Sequence, residues 1–107
     1  MPRQASFRLS FAPETIEHLD AINSRYHRLI AKTIAEQLTL EPESQARNRK
    51  PLEQPAPYEA TWELRFGRGN RFRVFYEVDE AGQTVWVLAI GVKVGNRLFI
   101  GGEEFEL

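Results

Sequence analysis

The sequence predicts an α+β fold: a helical hairpin packed on one face of a mostly antiparallel sheet of four or five strands, in the order strand, helix, helix, three-strand meander. Three observations carry this prediction. Apolar and polar residues alternate in three separate stretches, broken in one of them only by Phe75; apolar residues recur at helical spacing between Ile16 and Leu38; and Thr84 to Val92 is nearly unbroken apolar, the pattern of a strand covered on both faces. At 107 residues the chain reads as one domain, 1–107, since single cores are commonest at about 100–150 residues.

The first strand is Ser6 to Phe11, with Phe7, Leu9 and Phe11 on one side and Arg8 and Ser10 on the other. Ala12-Pro13-Glu14 starts a helix, because proline in the first turn lacks only an amide that would be orphaned there anyway. Ile16, Leu19, Ile22 and Tyr26 form an apolar stripe that continues through Leu29, Ile30, Ile34 and Leu38. Asn23-Ser24 interrupts it with two cap-type residues, so the hairpin is expected to break near Asn23 and resume to about Leu40. Residues 41 to 57 hold Pro42, Pro51, Pro55 and Pro57 and read as a structureless connection of a length that is more often functional than not. Glu59 to Phe66 and Arg71 to Asp79 then alternate around a hairpin loop at Gly67-Arg68-Gly69-Asn70. After the long apolar strand, Leu98-Phe99-Ile100 is expected as a short edge strand, followed by an exposed acidic tail with Glu103, Glu104 and Glu106.

Composition narrows the function classes. With 42% hydrophobic and 11% aromatic residues the chain can bury a core, and the absence of cysteine excludes disulfide scaffolds, thiol nucleophiles and Cys-containing zinc sites. No apolar run reaches the roughly 20 residues of a membrane span, and Met1-Pro2-Arg3-Gln4 leads into no signal-peptide core, so the expected compartment is the cytoplasm. The formal net charge of -1 argues at first against a nucleic-acid partner. It conceals a segregation: residues 1–43 carry net -1, residues 44–76 net +4 and residues 77–107 net -4. The cations are mostly arginine, whose planar fork suits phosphate and carboxylate.

Alternation has a chemical consequence. If Trp62, Leu64, Phe72, Val74 and Tyr76 face the helices, then Thr61, Glu63, Arg65, Arg71 and Arg73 share the other face, with Trp86, Leu88 and Ile90 or their neighbours beside them. Guanidinium groups, one carboxylate and aromatic surface on an open sheet suit a single nucleic-acid strand. A cross-strand pair between Glu63 and an arginine is the plain structural alternative. Other constellations fail. His18 and His27 lie on opposite sides of an ideal helix and read as surface residues, the glycines near Arg68 lack the context of a phosphate loop, and no serine, histidine and aspartate set suggests a triad.

The succession Trp62-Glu63-Leu64-Arg65, Arg71-Phe72-Arg73-Val74-Phe75-Tyr76 and Leu88-Ala89-Ile90-Gly91-Val92-Lys93 resembles the RelE/ParE family of toxins from bacterial type II toxin–antitoxin pairs. The helical hairpin and Asn48-Arg49-Lys50-Pro51-Leu52 fit it as well, so the resemblance covers roughly residues 6 to 100. It implies a small cytoplasmic toxin, without membrane partner, held inactive by a cognate antitoxin. The RelE branch cuts mRNA on the translating ribosome without metal or other cofactor, and the ParE branch inhibits DNA gyrase.

Carried over by position, Arg73 matches the arginine that stabilises the phosphorane in RelE-type enzymes, and Lys93 matches a second cation. Phe99 stands near the place of a catalytic tyrosine, and Thr61 and Glu63 stand where two lysines are usual. The resemblance therefore implies an endoribonuclease in which Glu63 takes the ribose 2′-hydroxyl proton, Arg73 and Arg65 stabilise the transition state, and Lys93 protonates the leaving oxygen. Arg47, Arg49, Lys50, Arg71, Arg97 and Phe99 would contact RNA. Two alternatives stay open: a ParE-like gyrase inhibitor without enzymatic activity, and an inactive toxin relic kept as an interaction partner.

Overall fold

In the structure, a computed structural model that describes residues 6–106, strand β1 (Arg8–Phe11) leads into helix α1 (Thr15–Asp20). A 3-10 turn at Ser24–Tyr26 separates it from helix α2 (His27–Leu38). The break falls at Asn23, whose side chain accepts from the Arg25 backbone amide at 3.0 Å. The sequence predicts four or five strands; the described residues form seven. They are β1, β2 (Arg49–Pro51), β3 (Trp62–Phe66), β4 (Phe72–Asp79), β5 (Thr84–Val94), β6 (Arg97–Ile100) and β7 (Glu103–Phe105). The reading of Met1-Pro2-Arg3-Gln4 lies outside the described residues. No helix among the described residues is long and apolar enough to cross a membrane.

The sheet runs β2-β3-β4-β5-β6-β7, with β1 parallel to β5 and every other pairing antiparallel. The α+β class and its hairpin-on-sheet arrangement are as expected. The extra strands come from two segments read differently. The proline-rich stretch is not structureless: Arg49–Pro51 adds an edge strand to β3, where a proline forfeits no ladder bond that a neighbour needs. The acidic tail is not a free tail either, because Glu103–Phe105 pairs with β6 and Phe105 packs on the sheet. Leu98-Phe99-Ile100 is consequently an inner strand.

Two cores flank the sheet. On the helix side Ile30, Ile34 and Leu38 of α2 bury against Leu64, Phe72, Val74, Tyr76, Val85, Val87 and Ile90. On the other side Phe75, Ala89, Leu98 and Ile100 pack with Ala60, Leu52 and Phe105. The expected open platform is thus largely covered, since the segment preceding β3 folds back over its middle. A one-residue slip between β4 and β5 at Phe75/Tyr76 makes Leu88 the extra residue and returns Ile90 to the helix side. Trp86 stays on the outer face, exposed.

Both histidines are structural, and neither is the free surface residue expected. The second edge of β5 is taken by β1 over Thr84–Val87 and by β6 over Gly91–Val94, which leaves a gap between them. His18 fills it: Nδ1 accepts from the Ile90 amide at 3.2 Å, and Nε2 meets the Tyr58 hydroxyl at 3.2 Å. The residue is only 4% exposed, and desolvation holds its pKa below the ordinary 6.5 against the pull of Glu14 and Glu17. His27 Nε2 reaches the Leu19 and Ile22 carbonyls at 2.7 and 2.8 Å, satisfying the end of α1.

Candidate functional site

Glu63 and Arg65 are two apart on β3 and so share a face, and Arg65 lies directly across from Arg73 of β4. Two guanidinium groups opposite one another repel. Glu63 resolves this: Oε1 accepts from Arg65 Nε at 2.6 Å and Oε2 lies 3.6 Å from Arg73 Nη1. Glu63 is 5% and Arg73 6% exposed, so the pair is inside the sheet rather than on its surface. Arg73 also donates from Nε to the Asn70 carbonyl at 2.9 Å. Burial pushes its pKa below the usual arginine value and the Glu63 carboxylate pushes back. Its partner on β5 is Gly91, where a Cβ would stand 2.9 Å from the Phe99 carbonyl and 3.0 and 3.1 Å from the Ile100 and Leu98 side chains.

Beside this triad an open groove of about 590 Å³ runs along the sheet end, lined by Arg68, Arg71, Arg73 and Lys93 with Gly69 and Gly95 at its turns. Two backbone features build it. Gly67 adopts φ 81°, turning the chain tightly so that Arg68 follows the strand end, and the Lys93 amide donates to the Arg71 carbonyl at 2.7 Å. The lining contains no carboxylate, imidazole or phenol.

Of the residues singled out from sequence, Arg71, Arg73 and Lys93 meet in the groove, with Glu63 and Arg65 next to it. The rest are dispersed. Arg49 lies on the helix side, where it donates to the Gln37 side chain at 2.5 Å and to the Ser44 carbonyl at 3.0 Å, fastening the edge strand to α2. Lys50 is exposed on the outer face opposite Glu63, and Arg47 is exposed before β2. Arg97 sits 3.8 Å from Glu104, and Phe99 pairs with Val92, placing both on the opposite face from Lys93. Arg68 in the hairpin loop and Tyr26 in the helix stripe carry no sequence pattern that marks them for this site, yet Arg68 lines the groove. Arg71 in fact turns toward Tyr26, with its guanidinium 5.4 Å from that ring and 5.8 Å from Phe72.

A family model for the ParE toxin of type II toxin–antitoxin systems (parDE) matches residues 9–93. The chain belongs to this toxin family. The toxin shares its fold with a chain of the toxin–antitoxin complex RelBE2 from Mycobacterium tuberculosis, with a TM-score of 0.69 and 21% identity over 87% of this chain and 98% of that one. At that identity the likeness is one of fold. No curated protein sequence matches the toxin.

Proposed function

We propose that this toxin acts in the cytoplasm by binding and inhibiting DNA gyrase, without cutting RNA. One observation carries the reading: Glu63, among the described residues the only carboxylate paired beside the cationic groove, has both oxygens turned to guanidinium groups inside the sheet. A general base needs a free lone pair within reach of the proton it removes. Phe99 supplies no hydroxyl, and it faces away from Lys93. The groove can therefore hold an anion but offers no proton-transfer pair of the kind cleavage needs.

The test sets two assays side by side. Purified toxin is expected to suppress gyrase supercoiling of plasmid DNA, while primer extension on mRNA from expressing cells shows no new 5′ ends. New ribosome-dependent ends with supercoiling intact would overturn the reading. The second reading, an mRNA endoribonuclease that blocks translation, is favoured by the meeting of Arg71, Arg73 and Lys93 in a groove suited to a phosphodiester. It requires Glu63 to leave both arginines. Harmless overexpression with both assays negative would point to a relic.

The antitoxin is the expected protein partner in either case. An apolar cleft of about 220 Å³ between α1 and α2, lined by Phe11, Ile16, Leu19, Ile30 and Ala31, supports docking of an amphipathic helix there. Ile16 and Leu29 stand exposed around the same hairpin.

A further inference from the structure

At the turn between α1 and α2, one phenol gathers two cations. Arg25 Nη2 donates to the Tyr26 hydroxyl at 2.7 Å and Arg71 Nη1 donates to the same oxygen at 3.3 Å. The Arg25 guanidinium lies 4.8 Å from the centre of the Tyr26 ring, and the ring itself packs against Phe72 at 5.2 Å. Among the described residues neither Arg25 nor Arg71 forms an ion pair with a carboxylate, and neither do Arg68 and Lys93 in the adjoining groove. Like charges brought to a common atom without a counter-ion repel one another, and an anion placed between them removes that repulsion. The hydrogen bond from Arg25 also holds the phenol below its ordinary pKa, the response expected of a group surrounded by positive charge.

We propose that Arg25 and Arg71, positioned by Tyr26, form a phosphate seat that continues the Arg68–Arg73–Lys93 groove, and that the two together hold the backbone of a DNA strand. The identification of the strand as DNA rests on the gyrase reading above. Three features favour a polyanionic strand over a single anion or an acidic peptide. Arg25, Arg68, Arg71 and Lys93 come from three separate elements, the helical turn, the hairpin loop and β5, rather than from one. Most are arginines, and Arg71 is already ordered by its contacts with two rings, so its fork loses little freedom on meeting a phosphate. The groove offers little apolar lining beyond Val92 and Val94 to anchor a peptide. The neutral chain as a whole does not attract a polyanion, so contact is confined to this strip.

Fluorescence anisotropy of the full chain with a labelled single-stranded deoxyoligonucleotide, a DNA duplex and an oligoribonucleotide of equal length tests the seat. Wild type is expected to bind DNA more weakly as salt rises, and Arg25→Gln and Arg71→Gln each to lower affinity by about 3–10-fold at low salt. Each should reduce the slope of log K against log salt by roughly 0.7–0.9, the loss of one phosphate contact. Tyr26→Phe removes only the hydroxyl; it is expected to weaken binding by about threefold while leaving thermal unfolding unchanged, which separates positioning from folding. Arg25 is exposed, so its variant keeps the fold. Absence of DNA binding, binding confined to RNA, wild-type affinity in all three variants, or equal competition by polyglutamate would each overturn the proposal. Wild-type DNA binding in the variants with gyrase inhibition intact refutes the seat alone; DNA binding lost in the variants, with no gyrase inhibition by the wild type, refutes the gyrase reading and leaves the seat standing.

Discussion

Glu63→Ala is expected to destabilise the fold by about 3–5 kcal/mol, the usual cost of leaving one member of a buried ion pair behind. The structure shows where that energy resides. Arg73 has a side chain 8% exposed, so water cannot replace the lost carboxylate, and only the Asn70 carbonyl at 2.9 Å would remain to it. Arg65 is 31% exposed, so its separate loss contributes under about 1 kcal/mol. With Glu63 gone, Arg65 and Arg73 also face each other directly across two strands. In a domain of this size each kcal/mol shifts Tm by roughly 4–8 °C, so a fall of at least about 12 °C is expected. Urea unfolding followed by circular dichroism measures it. The decisive variant is the double one: Glu63→Leu with Arg73→Met removes both charges and should return to within about 1–2 kcal/mol of wild type. A single-variant loss below about 1 kcal/mol, or a double variant no more stable than the single, would show that the triad is not a buried pair in solution. A fall of about 10²–10⁴ in RNA cleavage on Glu63→Gln would instead identify the carboxylate as a working base.

Three other outcomes are expected. Because the His18 pKa is lower in the folded chain than its unfolded 6.5, the unfolded state takes up the proton first as pH falls. Its contribution is complete above about pH 6.5 and declines below, with a slope of up to about 1.4 kcal/mol per pH unit that His18→Gln should remove from urea titrations at pH 7 and pH 5. Tyr76→Phe deletes a buried hydrogen bond of 2.6 Å to the Pro42 carbonyl and should lose about 1–3 kcal/mol by the same measurement. Gly67→Ala should lose more than Gly95→Ala: both have positive φ, but a Cβ at Gly67 would stand 2.5 Å from the Phe72 ring, whereas Gly95 faces open space. Backbone strain alone is about 1–2 kcal/mol, so equal losses in thermal melts would contradict the clash.

The strands and helices legible in the sequence are those whose pattern is internal. Trp62-Glu63-Leu64-Arg65-Phe66 alternates whatever its neighbours do, and α2 carries its own stripe of Ile30, Ile34 and Leu38. The missed strands have no such pattern. Arg49–Pro51 and Glu103–Phe105 are three residues each, polar or prolyl, and exist because β3 and β6 present edges that accept them. Burial of the outer face was hidden for a related reason: it depends on Leu52 and Ala60 folding back over Phe75, a contact between segments with no shared periodicity. His18 shows the same limit, since nothing local to α1 announces that a gap in β5 needs an acceptor.

The candidate site divides along the same line, and the division bears on how the toxin works. Alternation correctly put Glu63, Arg65 and Arg73 on one face, because that depends on strand parity alone. It said nothing about depth, and depth decides the chemistry: an exposed Glu63 beside two arginines is a plausible base, whereas a buried one is their counter-ion. The same carboxylate that completes a charged motif in sequence thereby neutralises part of it in space. What remains positive is displaced to the sheet end, where Arg68, Arg71 and Lys93 line the groove and Arg25 adjoins it through Tyr26. Folding therefore brings Arg68 and Arg71 of the 33-residue basic stretch together with Arg25 and Lys93 from the net-negative segments on either side of it. A near-neutral protein can meet a polyanion through such a strip, provided its internal cations already have their own partners.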